Sequence, residues 1–374
     1  MRKIALLLIV CFLSVLTVSI GKAQILNTSA HSTPSPAALK SYGHAQPLGN
    51  GTVRSYFVSS DSSAKTPVAI GVEFTAQAFD GLPDRGENTF FLTLPDAANE
   101  SLFKFIQLNW NPHGHIPPGV YDLPHFDFHF YITGMERLAD MRSGTCSAGG
   151  EGVDCETFRR GTITVPTKLV APGHINVGAV VPAMGNHLID VGGSEFRGTP
   201  FTHTFIYGSF DGEITFFEPM ITRAFLLGKP SQCIDFKQPS SYEVDGWYPT
   251  QYCMRYEQST NSYTVSLEGF RQHQDRAQLI SQIYSQTFCR QADADTLKTW
   301  ENSGLSIRKI MDTLPTTNEG ARATLVRSLY LSLLGRDPGQ GDCLGLRSWV
   351  DSNLSLEAVV WGIIHSDEYQ HRMN

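Results

Sequence analysis

The residues of this chain best suited to chemistry lie in Pro124-His125-Phe126-Asp127-Phe128-His129-Phe130-Tyr131, just downstream of His113-Gly114-His115. Phenylalanine alternates there with His, Asp and His at a period of two. A strand sends successive side chains to opposite faces. Phe126, Phe128 and Phe130 therefore form an apolar face that reads as core, while His125, Asp127 and His129 form a face with the composition of a metal site. Mixed imidazole and carboxylate donors suit Zn, Fe, Mn or Cu rather than Ca or Mg.

Geometry restricts what that strand can do alone. Same-face neighbours on a strand are roughly 6.6 Å apart, so His125 and His129 are separated by about 13 Å. An imidazole nitrogen holds zinc at about 2.0–2.1 Å. The three residues of the strand cannot share one ion, but Asp127 with one histidine can. Completing a site requires donors from elsewhere: the pair His113 and His115, His187 in Gly185-Asn186-His187, or His203 and Glu218. The last two belong to an expected hairpin, Thr202–Tyr207 and Glu213–Glu218, turning at Asp211-Gly212, an Asp-Gly dipeptide being a strong turn signal. With Asp211-Gly212 as the turn Phe205 lies opposite Glu218 and His203 is diagonal to it, whereas a four-residue loop sets His203 directly opposite; both registers put His203 and Glu218 on one sheet face. A polar structural network, or acid–base catalysis without metal, would use the same residues. No Gly-x-Ser-x-Gly elbow, Walker loop or His-Glu-x-x-His helix occurs.

The elements that must position these residues are mainly strands. Runs rich in β-branched and aromatic residues recur at 52–58, 68–74, 89–94, 103–110, 125–133, 161–165, 175–181 and 202–207, separated by Gly, Pro, Asn and Asp. This predicts a mainly β sandwich or barrel over 48–260, with a cupin-like barrel as one form of it. From 274 to 374 the period becomes helical, which predicts a separate all-α C-terminal domain. Two segments within it repeat: Ile283-Tyr284 matches Leu329-Tyr330, Arg290 matches Arg336, and Trp300 matches Trp349.

The N-terminus joins Arg2 and Lys3 to an apolar run ending before Gly21-Lys22-Ala23, the pattern of a signal peptide over 1–23. Residues 24–47 read as a Ser/Pro-rich linker. Six cysteines follow the leader, and an even count in an exported chain favours disulfides. Spacing suggests Cys146–Cys155 and Cys233–Cys253, and equivalent places in the two helical repeats suggest Cys289–Cys343. The absence of Cys-x-x-Cys argues against a zinc-thiolate cluster. A formal net charge of −7 and the lack of a basic run give no support to nucleic-acid binding. After signal cleavage, no membrane span is expected, and the product is periplasmic, cell-surface or extracellular.

Two resemblances extend this reading. The stretch LVRSLYLSLLGRDPGQGDCLGLRSWV, followed by LSLEAVVWGIIHSDEY, resembles a bacterial domain of unknown function that is similar to phycobilisome linker domains. The matching marks are Tyr330, Gly335, Arg336, Asp337, Gly345, Trp349, Ser366, Glu368 and Tyr369, while Gln340-Gly341-Asp342-Cys343 departs from that family's Asp-x-x-Gly turn. The resemblance implies an interaction or attachment module with a protein or cell-surface partner. The Gly49–Tyr56 opening, GHIPPGVYDLPHFDFHFY, AMGNH and FEPMIT resemble a small family of uncharacterised exported bacterial proteins, which implies a β-rich fold and no particular activity. Together these features predict an exported metal-binding β module joined to a helical interaction module. The alternatives are a metal-dependent enzyme acting on a small extracellular substrate, and a structural envelope protein whose histidines stabilise a homo-oligomer.

Overall fold

The computed structural model describes residues 38–60, 66–338 and 343–373; the expected leader and most of the linker lie outside them. Residues 37–374 form one compact unit. Its first sheet is antiparallel and has seven strands: β1 (Leu39–Tyr42), β3 (Gly51–Ser59), β4 (Pro67–Thr75), β15 (Ser262–Glu268), β14 (Gln251–Glu257) and β12 (Ser231–Asp235) in spatial order, with β2 (Gln46–Leu48) also on β3. The second sheet runs β5 (Asn88–Thr93), β6 (Phe105–Asn111), β7 (His125–Tyr131), β11 (Glu213–Thr222), β10 (His203–Phe210), β9 (Gly185–Asp190) and β8 (His174–Val181). A two-stranded ribbon pairs β13 (Gly246–Tyr248) with β16 (Arg271–His273). Each sheet keeps its own edges, so the β region is a sandwich rather than a closed barrel.

The core between the sheets follows from the alternation along the strands. Phe126, Phe128 and Phe130 of β7, and Ile106, Leu108 and Trp110 of β6, all point inward and are buried. They meet the first sheet through Phe74, whose ring centre is 6.1 Å from Phe126 and 6.5 Å from Phe128. Such offset aromatic contacts add to the burial of the large side chains themselves.

Three expectations about the β region are corrected. The segment 161–165 is not a strand: Gly161 ends helix α1 (Cys155–Gly161), which Asp154 caps by accepting a hydrogen bond from Thr157 N, and a loop follows. The end of the Ser/Pro-rich arm is ordered, because β1 and β2 pair antiparallel with β3. Strands also continue beyond 260, through β15 and β16.

All three expected disulfides are present: Cys146–Cys155, Cys233–Cys253 and Cys289–Cys343. Cys233 and Cys253 sit directly opposite each other on β12 and β14. Such cross-links belong to oxidising compartments. No helix among the described residues is long and apolar enough to cross a membrane.

The short α2 (Arg223–Leu227) lies between β11 and β12; after β16 the described residues form helices: α3 (Arg276–Phe288), α4 (Ala294–Asn302), α5 (Ile307–Thr313), α6 (Asn318–Leu334), α7 (Cys343–Asp351), α8 (Leu356–Ile364) and α9 (Asp367–Met373). Its repeat is chemical as well as topological. Trp300 Nε1 donates to Tyr284 Oη at 2.8 Å, and Trp349 Nε1 donates to Tyr330 Oη at 3.1 Å. Arg290 lies over the Tyr284 ring and pairs with Glu319, just as Arg336 lies over the Tyr330 ring and pairs with Glu368. Ser306 and Ser355 cap α5 and α8 in the same way.

Glu243 ties this region to the sandwich by accepting from Ile307 N at the start of α5. It is half-buried, and burial pushes its carboxyl up to about 7. A carboxyl raised on folding binds its proton better in the native state, so its contribution is greatest below about pH 4.5 and declines as pH rises through 7. At about 1.4 kcal/mol per unit, the loss reaches at most on the order of 3 kcal/mol, reduced by the solvent that reaches the group. Glu243→Gln should therefore flatten the fall in thermal midpoint between pH 5 and 7. Parallel pH profiles for variant and parent would contradict this.

Candidate metal centre

The second face of β7 is not solvated, although it carries His125, Asp127 and His129. Their exposures are 0%, 4% and 1%, and that of Glu218 is 1%. Pairing aligns a whole polar stripe. On β6, Asn111 is opposite His125, Asn109 opposite Asp127 and Gln107 opposite His129. On β11, Phe217 pairs with Phe130 and Met220 with Asp127, which brings Glu218 beside His129. Apolar groups close the two ends of the stripe: Phe105, Tyr131, Phe210 and Phe216 at one, and Tyr121, Phe201, Ile206 and Met220 at the other.

Two clusters of donor atoms result, each lying within 4.8 Å: His115, His125 and Asp127, and His129, His187 and Glu218. In the first, Asp127 Oδ1 is 3.1 Å from His125 Nε2, and Asp127 Oδ2 is 3.3 Å from His115 Nε2. Asn111 Nδ2 donates to Oδ2 at 2.6 Å. His115 comes from a tight loop in which His115 N donates to Tyr121 O at 3.1 Å. Gly114 permits that loop: its φ is +69°, and a Cβ there would lie 2.0 Å from Tyr121 O.

In the second cluster, Glu218 Oε1 is 3.3 Å from His129 Nε2, and Oε2 is 3.8 Å from His187 Nε2. His187 reaches across β10 because its partner there is Gly208, which has no side chain to block the path. A Cβ on Gly208 would lie 2.1 Å from the Phe216 ring, which packs against both His129 and His187.

The hydrogen bonds of the rings decide what faces the carboxylates. His125 Nδ1 is 2.6 Å from Leu123 O, His115 Nδ1 is 2.8 Å from Ile116 O, and His187 Nδ1 is 3.0 Å from Ala179 O. A carbonyl only accepts, so each Nδ1 carries the proton, and a neutral ring then presents a bare lone pair at Nε2. That lone pair points at a carboxylate oxygen. His125 Nε2, Asp127 Oδ1, His129 Nε2 and Glu218 Oε2 are all buried and have no hydrogen-bond partner among the described residues. Leaving a buried polar atom unsatisfied costs about 1–3 kcal/mol, and four of them amount to a large fraction of the roughly 5–15 kcal/mol that stabilises a domain. A cation between the facing lone pairs removes the penalty. Backbone anchoring of the second ring nitrogen is also what fixes the tautomer of metal-ligating histidines.

Without a cation, protons must do this work, and the two clusters differ in how. Burial pushes the Asp127 carboxyl up, but His125 and His115 outweigh it and hold the group well below the usual carboxylate range. Burial lowers His115, and the Asp127 carboxylate overrides that, raising it to about 9. Burial depresses His129 to about 3 and His187 to about 4, so both are neutral. Burial, with the charge of Asp127 nearby, raises Glu218 well above the carboxylate range.

Of the eight residues expected from sequence, six fall into these clusters, and two do not. His113 points away and is 2.8 Å from Asp84 O through Nε2. The expected pairing of His203 with Glu218 is corrected. The Asp211-Gly212 turn forms, with Phe210 opposite Glu213, but a bulge at Gly208/Ser209 shifts the register so that Ile206, not Phe205, is opposite Glu218. A one-residue shift reverses the face of every later side chain. His203 therefore lies on the core side, with Nδ1 2.7 Å from Tyr252 Oη. Three polar neighbours escaped the sequence reading: Asn111, Asn109 and Glu87, the last of which accepts from Thr89 Oγ1 at 3.2 Å and from Asn109. The signal of the two asparagines was available in β6, where Gln107, Asn109 and Asn111 alternate with Ile106, Leu108 and Trp110. A third donor group, Cys233, Cys253 and Glu268, offers no thiolate because the cysteines are disulfide-bonded.

Comparison with known protein families, with curated proteins and with solved structures found no match to this chain.

Gly208→Ala tests the packing that lets His187 cross β10. Overpacking of this kind costs about 1–3 kcal/mol, so the thermal midpoint should fall measurably. An unchanged melting curve would show that Phe216 yields freely and that the glycine is not required.

Proposed function

We propose that this is an exported metal-binding protein whose sandwich holds a transition metal in histidine–carboxylate sites and whose helical repeats attach it to a protein or surface partner. The observation that carries the reading is the facing of backbone-anchored imidazole lone pairs toward buried carboxylate oxygens that have no hydrogen-bond partner among the described residues. Nitrogen and oxygen donors in this mixture favour Zn, Fe, Mn or Cu. Three disulfides support an oxidising destination. The attachment role rests on the resemblance of the last fifty or so residues to a linker-like domain. The repeated Tyr–Trp hydrogen bond and the exposed apolar side of α8 around Trp361 and Leu356 also support it.

Purified mature protein, loaded with each of the four metals and dialysed, should retain metal in stoichiometric amount by elemental analysis. The double variant Asp127→Asn/Glu218→Gln should retain none while keeping the β signature of its circular dichroism. Absence of stoichiometric metal with all four ions would overturn the reading in favour of a proton-linked structural network.

A further inference from the structure

Resting on that reading, we infer that each chain takes two transition-metal ions in inequivalent sites, and that the ion at His115, His125 and Asp127 keeps a coordination position for a small exogenous anion or water. Two ions follow from distance. His125 and His129 are four residues apart on β7, about 13 Å, and ligand distances of about 2.0–2.2 Å cannot bring all six residues onto one centre. The donor atoms form two compact groups of three.

The inequivalence follows from the carboxylates and the walls. Glu218 directs Oε1 toward His129 and Oε2 toward His187. Neither oxygen is committed to another donor among the described residues, so Glu218 can chelate and bring the donor count to four. Aromatic rings enclose this site: the Phe216 ring centre is 4.8 Å from that of His129 and 5.3 Å from that of His187, and Tyr131 stacks beside His129 at 6.1 Å. It is a closed, fold-stabilising site of the kind in which all positions belong to the protein.

Asp127 is placed differently. Asn111 donates to its Oδ2, the oxygen facing His115, and leaves Oδ1 as the one oxygen without a partner among the described residues, so Asp127 offers the ion a single donor. With His115 and His125 this makes three ligands, the number that leaves a tetrahedral position open. Its approach from solvent is on the His115 side, since the His115 side chain is 34% exposed while those of His125 and Asp127 are 0% and 6%. The ligand class is therefore a small anion that can enter past the His115 loop and displace water from the metal.

Cobalt(II) titration of the intact mature protein, followed by visible absorption, tests this. The parent should bind two equivalents, and His115→Ala and Glu218→Gln should each bind one. Azide should shift the spectrum of the parent and of Glu218→Gln but leave His115→Ala unchanged. Asp127→Asn supplies a second lesion in the open site and should behave as His115→Ala does. A single equivalent in the parent that either variant abolishes would overturn the two-site inference while leaving metal binding intact. An azide shift that persists in His115→Ala would overturn the assignment of the open position. No bound cobalt in any form would overturn the metal-binding reading itself.

Discussion

Three imidazoles donate Nδ1–H to backbone carbonyls, and the organisation of the outer sheet face depends on that constraint. Once those protons are committed, Nε2 of each neutral ring can only accept. Facing such an atom with a carboxylate inside a low-dielectric interior is repulsive until a proton or a metal ion intervenes. The protein builds this arrangement twice within one strand's length. It surrounds it with asparagines on one side and aromatic rings on the other.

Sheet geometry makes the duplication possible. On β7, phenylalanines belong to the sandwich core, and the alternate positions carry His125, Asp127 and His129 on the other face. Each end of that polar row then recruits a partner that sequence distance conceals. The Gly114 loop brings His115 to Asp127, and the bare backbone of Gly208 lets His187 span β10 to Glu218. Neither site would close on a strand whose neighbours all carried side chains of ordinary size. Among the described residues the helical region contributes no donor to either cluster, and its own repeat logic, a Trp–Tyr bond under an Arg–Glu pair, is independent of the metal face.

Much of this was legible before any coordinates, for identifiable physical reasons. The period-two pattern of 125–131 specified both faces of β7, and its spacing already forbade a single ion shared by His125, Asp127 and His129. Cysteine spacing and the helical repeat anticipated the three disulfides. What remained hidden was conformational. The bulge at Gly208/Ser209 carries no residue signature beyond its glycine, yet it reverses the side of His203. The choice between His113 and His115 depended on a loop path set by Gly114, which residue type alone does not specify. Strands β1 and β2 are too short to show periodicity and exist because β3 offers them a pairing edge. Asn109 and Asn111 were visible as alternating positions in β6, but their role emerged only when Asp127 was placed opposite Asn109.

The central claim is that a metal ion lies between the Nε2 atoms and the carboxylates. Anomalous diffraction from crystals of the zinc- or cobalt-loaded protein, recorded on either side of the absorption edge, tests it most directly. The account predicts two edge-dependent peaks, each about 2.0–2.2 Å from its ligand atoms: one among His115, His125 and Asp127, the other among His129, His187 and Glu218. A map without edge-dependent density there, with Glu218 instead within hydrogen-bond distance of His129, would contradict it.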